Sequence, residues 1–230
     1  MIEDLLSSED KRLILVPEVV ATFIWPQVPW TINEPSTYIY NCSSISKAGI
    51  IDIRALRYLD RNVVGLLKKG KTVDETVSIL KRKDYYDKDH VIALKERIQF
   101  YNREKCGIDC SHISSFIEDN YTKERLFLDG RHWSDRLCQE IIKNCVDKMG
   151  IQNDDKEYRF KLIKHVADNE DRVWENEWPI YPSVIGALHL DWADDRTKYR
   201  MVKLNETISA TFEEFMWNYV YHALEIQKIW

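Results

Sequence analysis

Of the six histidines in this chain, His132 stands where chemistry is most often done. The apolar run Leu126-Phe127-Leu128 has the length of a short buried strand, breaks at Gly130, and gives way to helical spacing through Leu137, Ile141, Ile142 and Val146. Ser134 occupies the N-cap position of that helix, Asp135 adds negative charge to its first turn, and Gly150 after Lys148 is a stop signal. His132 therefore falls in the turn between the carboxyl end of a strand and the amino end of a helix, where open α/β sheets bind ligands. The structural alternative is a turn histidine that caps nearby backbone groups.

Other residues have types suited to chemistry. Cys42 follows Asn41 at the end of the strand-like Thr37-Tyr38-Ile39-Tyr40, and a helix start beyond it would lower the thiol pKa and hold an anionic intermediate. The plainer reading is a small buried hydrophobe. Lys68, Lys69, Lys71, Lys81, Arg82 and Lys83 gather positive charge that suits a phosphate-bearing ligand such as a nucleotide or coenzyme A, or else form a solvated helix face. Cys106, Cys110 and His112 are zinc-type ligands, but no second pair answers them at a recognisable spacing, so no metal site is expected there. Asp191, Asp194 and Asp195 echo the divalent-metal motif of glycosyltransferases, with the spacing D-x-x-D-D and no clear strand before it.

These groups need elements to hold them. Leu13-Ile14-Leu15-Val16 reads as a strand ended by Pro17, and Pro26 and Pro29 keep residues 23–30 extended and irregular. Residues 50–59 read as a helix, and from Val63 the chain is helical and polar. Thr72 and Glu75 have capping-box spacing before Val77, Ile79 and Leu80, in a helix expected to end near Lys83. Asp87 caps a longer helix from Lys88 to about Glu104, with Val91, Leu94, Ile98 and Tyr101 on one stripe. A short helix ends near Asn120, and another runs from Tyr158 to about Val166, with His165 a partly buried structural residue on its stripe. Pro182 or Ser183 starts a short helix carrying Val184, Ile185, Leu188 and Leu190. Thr211 and Glu214 form a capping box before a long terminal helix, whose aromatic face lies on the core or on a second copy in a homodimer. The fold class expected is α/β, helix-rich, with a small and mostly parallel sheet flanked by helices. A single domain would span 1–230, with 63–120 a mainly helical subregion.

With 230 residues, 44% of them hydrophobic, the chain can bury a sizeable core. Its 33 basic and 38 acidic residues leave a net charge of −5, so no global field recruits nucleic acid or an anionic membrane. The longest apolar runs fall far short of the roughly 18 residues of a membrane span, and Ile2-Glu3-Asp4 lacks the positive flank of a signal peptide. Five cysteines without regular framing fit reduced thiols, and a cytoplasmic protein is expected.

The order Glu124-Arg125-Leu126-Phe127, then His132, then an amphipathic helix ending in Met149-Gly150-Ile151 resembles the second half of the WcbI-like capsule polysaccharide biosynthesis proteins. Asn102-Arg103-Glu104, the stretch from Asp109-Cys110-Ser111-His112 to Phe116-Ile117, Gly70-Lys71-Thr72-Val73 and Pro179-Ile180-Tyr181-Pro182-Ser183-Val184 recur in the same order. The likeness covers most of the chain from about Leu13 to Tyr221. It implies an α/β sandwich of the SGNH-hydrolase type and acetyl transfer from acetyl-CoA to a sugar hydroxyl. Under it, His132 is the general base, Arg131 and Ser134 orient the acyl group or its oxyanion, Lys68, Lys69 or Arg82 meet the coenzyme phosphates, and Cys42 with Asn41 is a nucleophile or a pocket wall. The chain departs from the family at two points. Trp133 follows His132 where the family has proline, and the family's amino-terminal Gly-Asn-Cys-Gln motif is echoed only by Asn41-Cys42-Ser43. The alternatives are a noncatalytic interaction or scaffold protein that keeps the fold without the active centre, and a metal-dependent sugar-nucleotide glycosyltransferase using Asp191, Asp194 or Asp195.

Overall fold

Asp60 starts the first helix by accepting the N–H groups of Asn62 (2.8 Å) and Val63 (3.2 Å) on one carboxylate oxygen. This is the N-cap role, which satisfies donors that the first turn leaves without partners. The helix it opens, α1 (Arg61–Lys68), ends where Gly70 takes φ 76°, a left-handed position that glycine adopts without strain. The computed structural model describes residues 19–26, 60–106, 111–130, 132–148, 177–203 and 206–227. The expected strands at Leu13 and Thr37, and the helices over 50–59 and from Tyr158, lie outside them.

Capping chemistry sets the next boundaries as the sequence indicates. Thr72 Oγ1 accepts the Glu75 N–H while Glu75 returns a carboxylate to the Thr72 N–H, opening α2 (Val73–Leu80). Asp87 accepts the N–H of His90 at the start of α3 (Lys88–Cys106). A shorter helix, α4 (Ser111–Asn120), follows. Ser134 caps α5 (Asp135–Lys148), and Pro182 stands at the first position of α6 (Pro182–Leu188), where its missing N–H leaves no gap. Thr211 and Glu214 form a second capping box that launches α7 (Phe212–Gln227).

The expected small, mostly parallel sheet is not what forms. Seven helices carry the described residues, and the only named strands among them, β1 (Lys198–Lys203) and β2 (Glu206–Thr211), make one antiparallel pair. Tyr199 faces Ala210 across it and Met201 faces Ile208. Tyr199, Met201 and Ala210 are buried while Ser209 is exposed, the alternation of a sheet with one face on the core. The expected strand at Leu126-Phe127-Leu128 is instead one arm of a tight reversal, joined to its other arm by a lone antiparallel bridge between Phe127 and Trp133. Its backbone bonds are spent inside the reversal, from Leu128 N–H to His132 O (2.8 Å) and from Ser134 N–H to Leu126 O (2.9 Å). Three apolar residues cannot tell a buried strand from a buried loop arm, because both hide the same side chains.

The core is aromatic. Trp178 meets Phe215 and Tyr219 edge-on at 5.8 and 5.2 Å, and Tyr181 meets Phe212 at 5.6 Å. All are buried, each side chain stabilising the fold by about 1.5–3 kcal/mol over exposure to water. Helix α7 packs against α1, α2 and both strands, and α3 packs against α4 and α6. Residues 19–26 enter this core with Val19, Phe23, Ile24 and Trp25 almost wholly enclosed. Buried Asn102 of α3 accepts the Val20 N–H at 3.0 Å and donates to Val20 O at 2.8 Å, and Trp25 Nε1 donates to Trp178 O at 3.0 Å. No helix among the described residues is long and apolar enough to cross a membrane.

Candidate functional site

The reversal that carries His132 is built around Asp129. One carboxylate oxygen accepts the His132 N–H at 2.9 Å and closes the turn, as short acidic side chains do. The other lies 2.6 Å from His132 Nδ1. Asp129 thus fixes both the backbone and the ring of the same histidine. With Nδ1–H donated to the carboxylate, the imidazole is held in the tautomer that leaves Nε2 as its acceptor nitrogen. The Asp129 side chain is 7% exposed and that of His132 27%, so the carboxylate is tucked under a ring that still reaches the surface.

The reversal is itself anchored on several sides. Gly130 O accepts the Ala21 N–H at 3.0 Å, Trp133 Nε1 donates to Val19 O at 3.1 Å, and Leu128 O accepts the Trp178 N–H at 2.9 Å. A Cβ on Gly130 would lie 2.9 Å from Thr22 Cγ2, so only glycine lets the loop settle this closely on residues 19–25. Glu177 continues the tie to β1, donating its N–H to Arg200 O at 2.8 Å and accepting the Arg200 N–H at 2.9 Å. Arg125 braces the same region. It pairs with Glu177 at 2.9 Å and lies 5.1 Å from the ring centres of both Trp192 and Tyr199.

His132 thus stands in a reversal, bonded to a buried carboxylate, rather than at a sheet's end. Ser134 is buried, and its Oγ accepts the Leu137 N–H at 3.3 Å as the cap of α5, so it holds the helix start beside His132. Arg131, Asn41 and Cys42 lie outside the described residues. Lys68 is the last residue of α1 and Lys69 its C-cap, while Arg82 follows α2 with two bonds to Asp84 at 2.9 and 2.8 Å. Among the described residues no hydrogen bond or ion pair joins these three cations to the His132 reversal. The rest of that basic run is largely paired: Lys71 with Glu75, Lys81 with Glu213, and Lys83 with Asp195.

Asp194 closes its own turn by accepting the Arg196 N–H at 2.9 Å. Among the described residues no group of three His, Cys, Asp or Glu side chains is arranged to hold a metal ion. Cys106 is buried, and Cys110 lies outside the described residues.

Sequence reasoning missed Asp129. The signal was there, since an acid followed by glycine marks a turn, and the third residue beyond it is the histidine whose N–H such a turn presents. It also gave no role to Asp60, which is wholly enclosed and bonded to Tyr181 Oη at 2.6 Å. Comparison of the chain with protein-family models, with curated proteins and with solved structures finds no match.

Proposed function

We propose that the chain is an enzyme of acyl transfer in which His132, held by Asp129, is the general base. The observation that carries this reading is the double engagement of His132 by one carboxylate, at 2.9 Å on the backbone and 2.6 Å on the ring. An imidazole fixed in this way is prepared to take a proton from an acceptor hydroxyl and return it to a leaving group. With acetyl-CoA as donor and a sugar hydroxyl as acceptor, Nε2 takes the hydroxyl proton, the oxygen attacks the thioester carbonyl, and the departing thiolate recovers the proton from the imidazolium. The acyl class and its substrates rest on the sequence likeness, and the choice of His132 as base is supported by its two bonds to Asp129. A cytoplasmic setting, as part of polysaccharide biosynthesis, belongs to the same proposal.

The test is thiol release from acetyl-CoA in the presence of a panel of sugars. Turnover is expected, and His132→Ala is expected to lower it by about 10²–10⁴-fold while the melting temperature holds. Full activity in that variant removes the assignment. Acetyl-CoA should also raise the melting temperature of the wild-type chain.

A second reading, a noncatalytic interaction protein, is favoured by the outer face of α7. Trp217 and Tyr221 are 43% and 41% exposed there, and their rings stack 5.5 Å apart. Exposed rings of this size mark association surfaces, with a second copy of the chain as the partner. Under this reading acetyl-CoA leaves the melting temperature unchanged, and sedimentation shows a dimer that Trp217→Ser weakens.

A further inference from the structure

Two successive peptide groups stand between helix α3 and the reversal that carries His132. In the first, Val19 O accepts the Trp133 indole N–H at 3.1 Å while the Val20 N–H donates to Asn102 Oδ1 at 3.0 Å. In the second, Val20 O accepts from Asn102 Nδ2 at 2.8 Å while the Ala21 N–H donates to Gly130 O at 3.0 Å. A trans peptide directs its C=O and its N–H to opposite edges of one plane. Each plane therefore offers one edge to Asn102 and the other to the reversal.

Both contacts on the helix side come from a single carboxamide, which is enclosed at 1% exposure. It accepts through oxygen and donates through nitrogen, and a carboxylate or an alkyl group cannot do both. On the opposite side the contacts fall on either flank of His132, at Gly130 before it and Trp133 after it. Leu128 O, on the first arm, is held separately by the Trp178 N–H at 2.9 Å. The tip at Gly130 and the Trp133 side chain are the parts that residues 19–21 hold. Removing the carboxamide would leave the Val20 N–H and C=O enclosed without partners, a cost the segment escapes by turning both planes and carrying the reversal with them.

We infer that Asn102 is a positioning residue for His132, clamping the two peptide groups on which the reversal rests so that the imidazole keeps one orientation against Asp129. This inference rests on the reading of His132 as a general base. Asn102 acts through Val20, Gly130 and Trp133, and it moves no proton itself.

The test is nitrogen NMR of the full chain labelled in its histidine rings, with the His132 signals assigned by their loss in His132→Gln. At about pH 8 the wild-type ring is expected in one tautomer, protonated on Nδ1. Asn102→Ala, and the isosteric Asn102→Asp, which sets a carboxylate oxygen against Val20 O, should convert it to a mixture of both tautomers. Val91→Ala, at another buried position of α3, should lower the melting temperature and leave the single tautomer in place. A single tautomer in the folded Asn102 variants, a mixture already present in the wild type, or an equal mixture in Val91→Ala would each overturn the proposal. Hydrogen exchange of the wild-type chain supplies a readout that needs no variant. The Val20, Ala21 and His132 N–H groups should open together, with protection equal to within about tenfold, and exchange at Val20 and Ala21 about 100-fold or more faster than at His132 overturns the clamp. In thiol release from acetyl-CoA, the Asn102 variants should lose about 10–100-fold in kcat with KM unchanged, and a loss confined to KM counts against a positioning role. A wild-type chain without turnover would remove the acyl-transfer reading alone, since the tautomer and exchange measurements judge Asn102 without it.

Discussion

Asp129 and Asp60 are both withdrawn from water, at 5% and 0% exposure, and both accept backbone N–H from just ahead in the chain, Asp129 closing a turn and Asp60 capping a helix. They differ in what meets the second carboxylate oxygen. For Asp129 it is an imidazole, a side chain able to carry a positive charge. For Asp60 it is a phenol, which offers a hydrogen bond and no charge. The same side chain in the same local turn chemistry therefore has opposite electrostatic prospects. One carboxylate faces a group that can become a cation, as the proposed function would use it, and the other is pressed by burial to give up its own charge. Burial alone does not give an acid its role. The partner decides.

The strongest way to break this contrast is to neutralise each acid in turn. Asp129→Asn keeps the shape but removes the charge behind His132, and acetyl-CoA turnover should drop by about 10²-fold or more with little change in melting temperature. Asp60→Asn should leave turnover alone and alter stability instead. In the wild type, ionised Asp60 should cost about 2 kcal/mol at pH 7 relative to pH 4, seen as a urea midpoint that falls as pH rises through about 6. Equal effects of both substitutions on turnover would erase the distinction.

Smaller changes sharpen it. Gly130→Ala pushes a methyl against Thr22 and should destabilise the chain by about 1–3 kcal/mol, with turnover falling because the reversal must shift under His132. Chemical denaturation and thiol release measured on the same sample would show both. Thr72→Ala removes an exposed cap with no buried charge behind it, and should cost about 1 kcal/mol with no pH dependence near 6. That variant separates ordinary capping from what Asp60 does.

Most helix boundaries among the described residues were legible in the sequence, because capping is local. Thr72 with Glu75, Asp87, Ser134, Pro182, and Thr211 with Glu214 each announce a start within four residues of themselves. The expected parallel sheet was wrong and the antiparallel pair that forms was not legible, because strand pairing is a long-range choice. Leu126-Phe127-Leu128 has the composition of a buried strand and finds its partners within its own reversal. Tyr199-Arg200-Met201 has the alternation of a strand, but the charges at Lys198, Arg200 and Lys203 obscured it. His132 was legible as a candidate from its position before a capped helix. Asp60 was not, since its environment is assembled from Tyr181 and Tyr219, 121 and 159 residues away.

The carboxamide of Asn102 occupies both main-chain polar groups of Val20 from the side of a helix. A neighbouring strand would meet that need too, but it would bring a further row of open donors and acceptors along its far edge, a template on which other chains can add. A side chain has no far edge. At Val20 the chain is docked in its core by a contact that cannot slip in register and cannot propagate, so this junction adds nothing to the surface on which copies of the protein would aggregate.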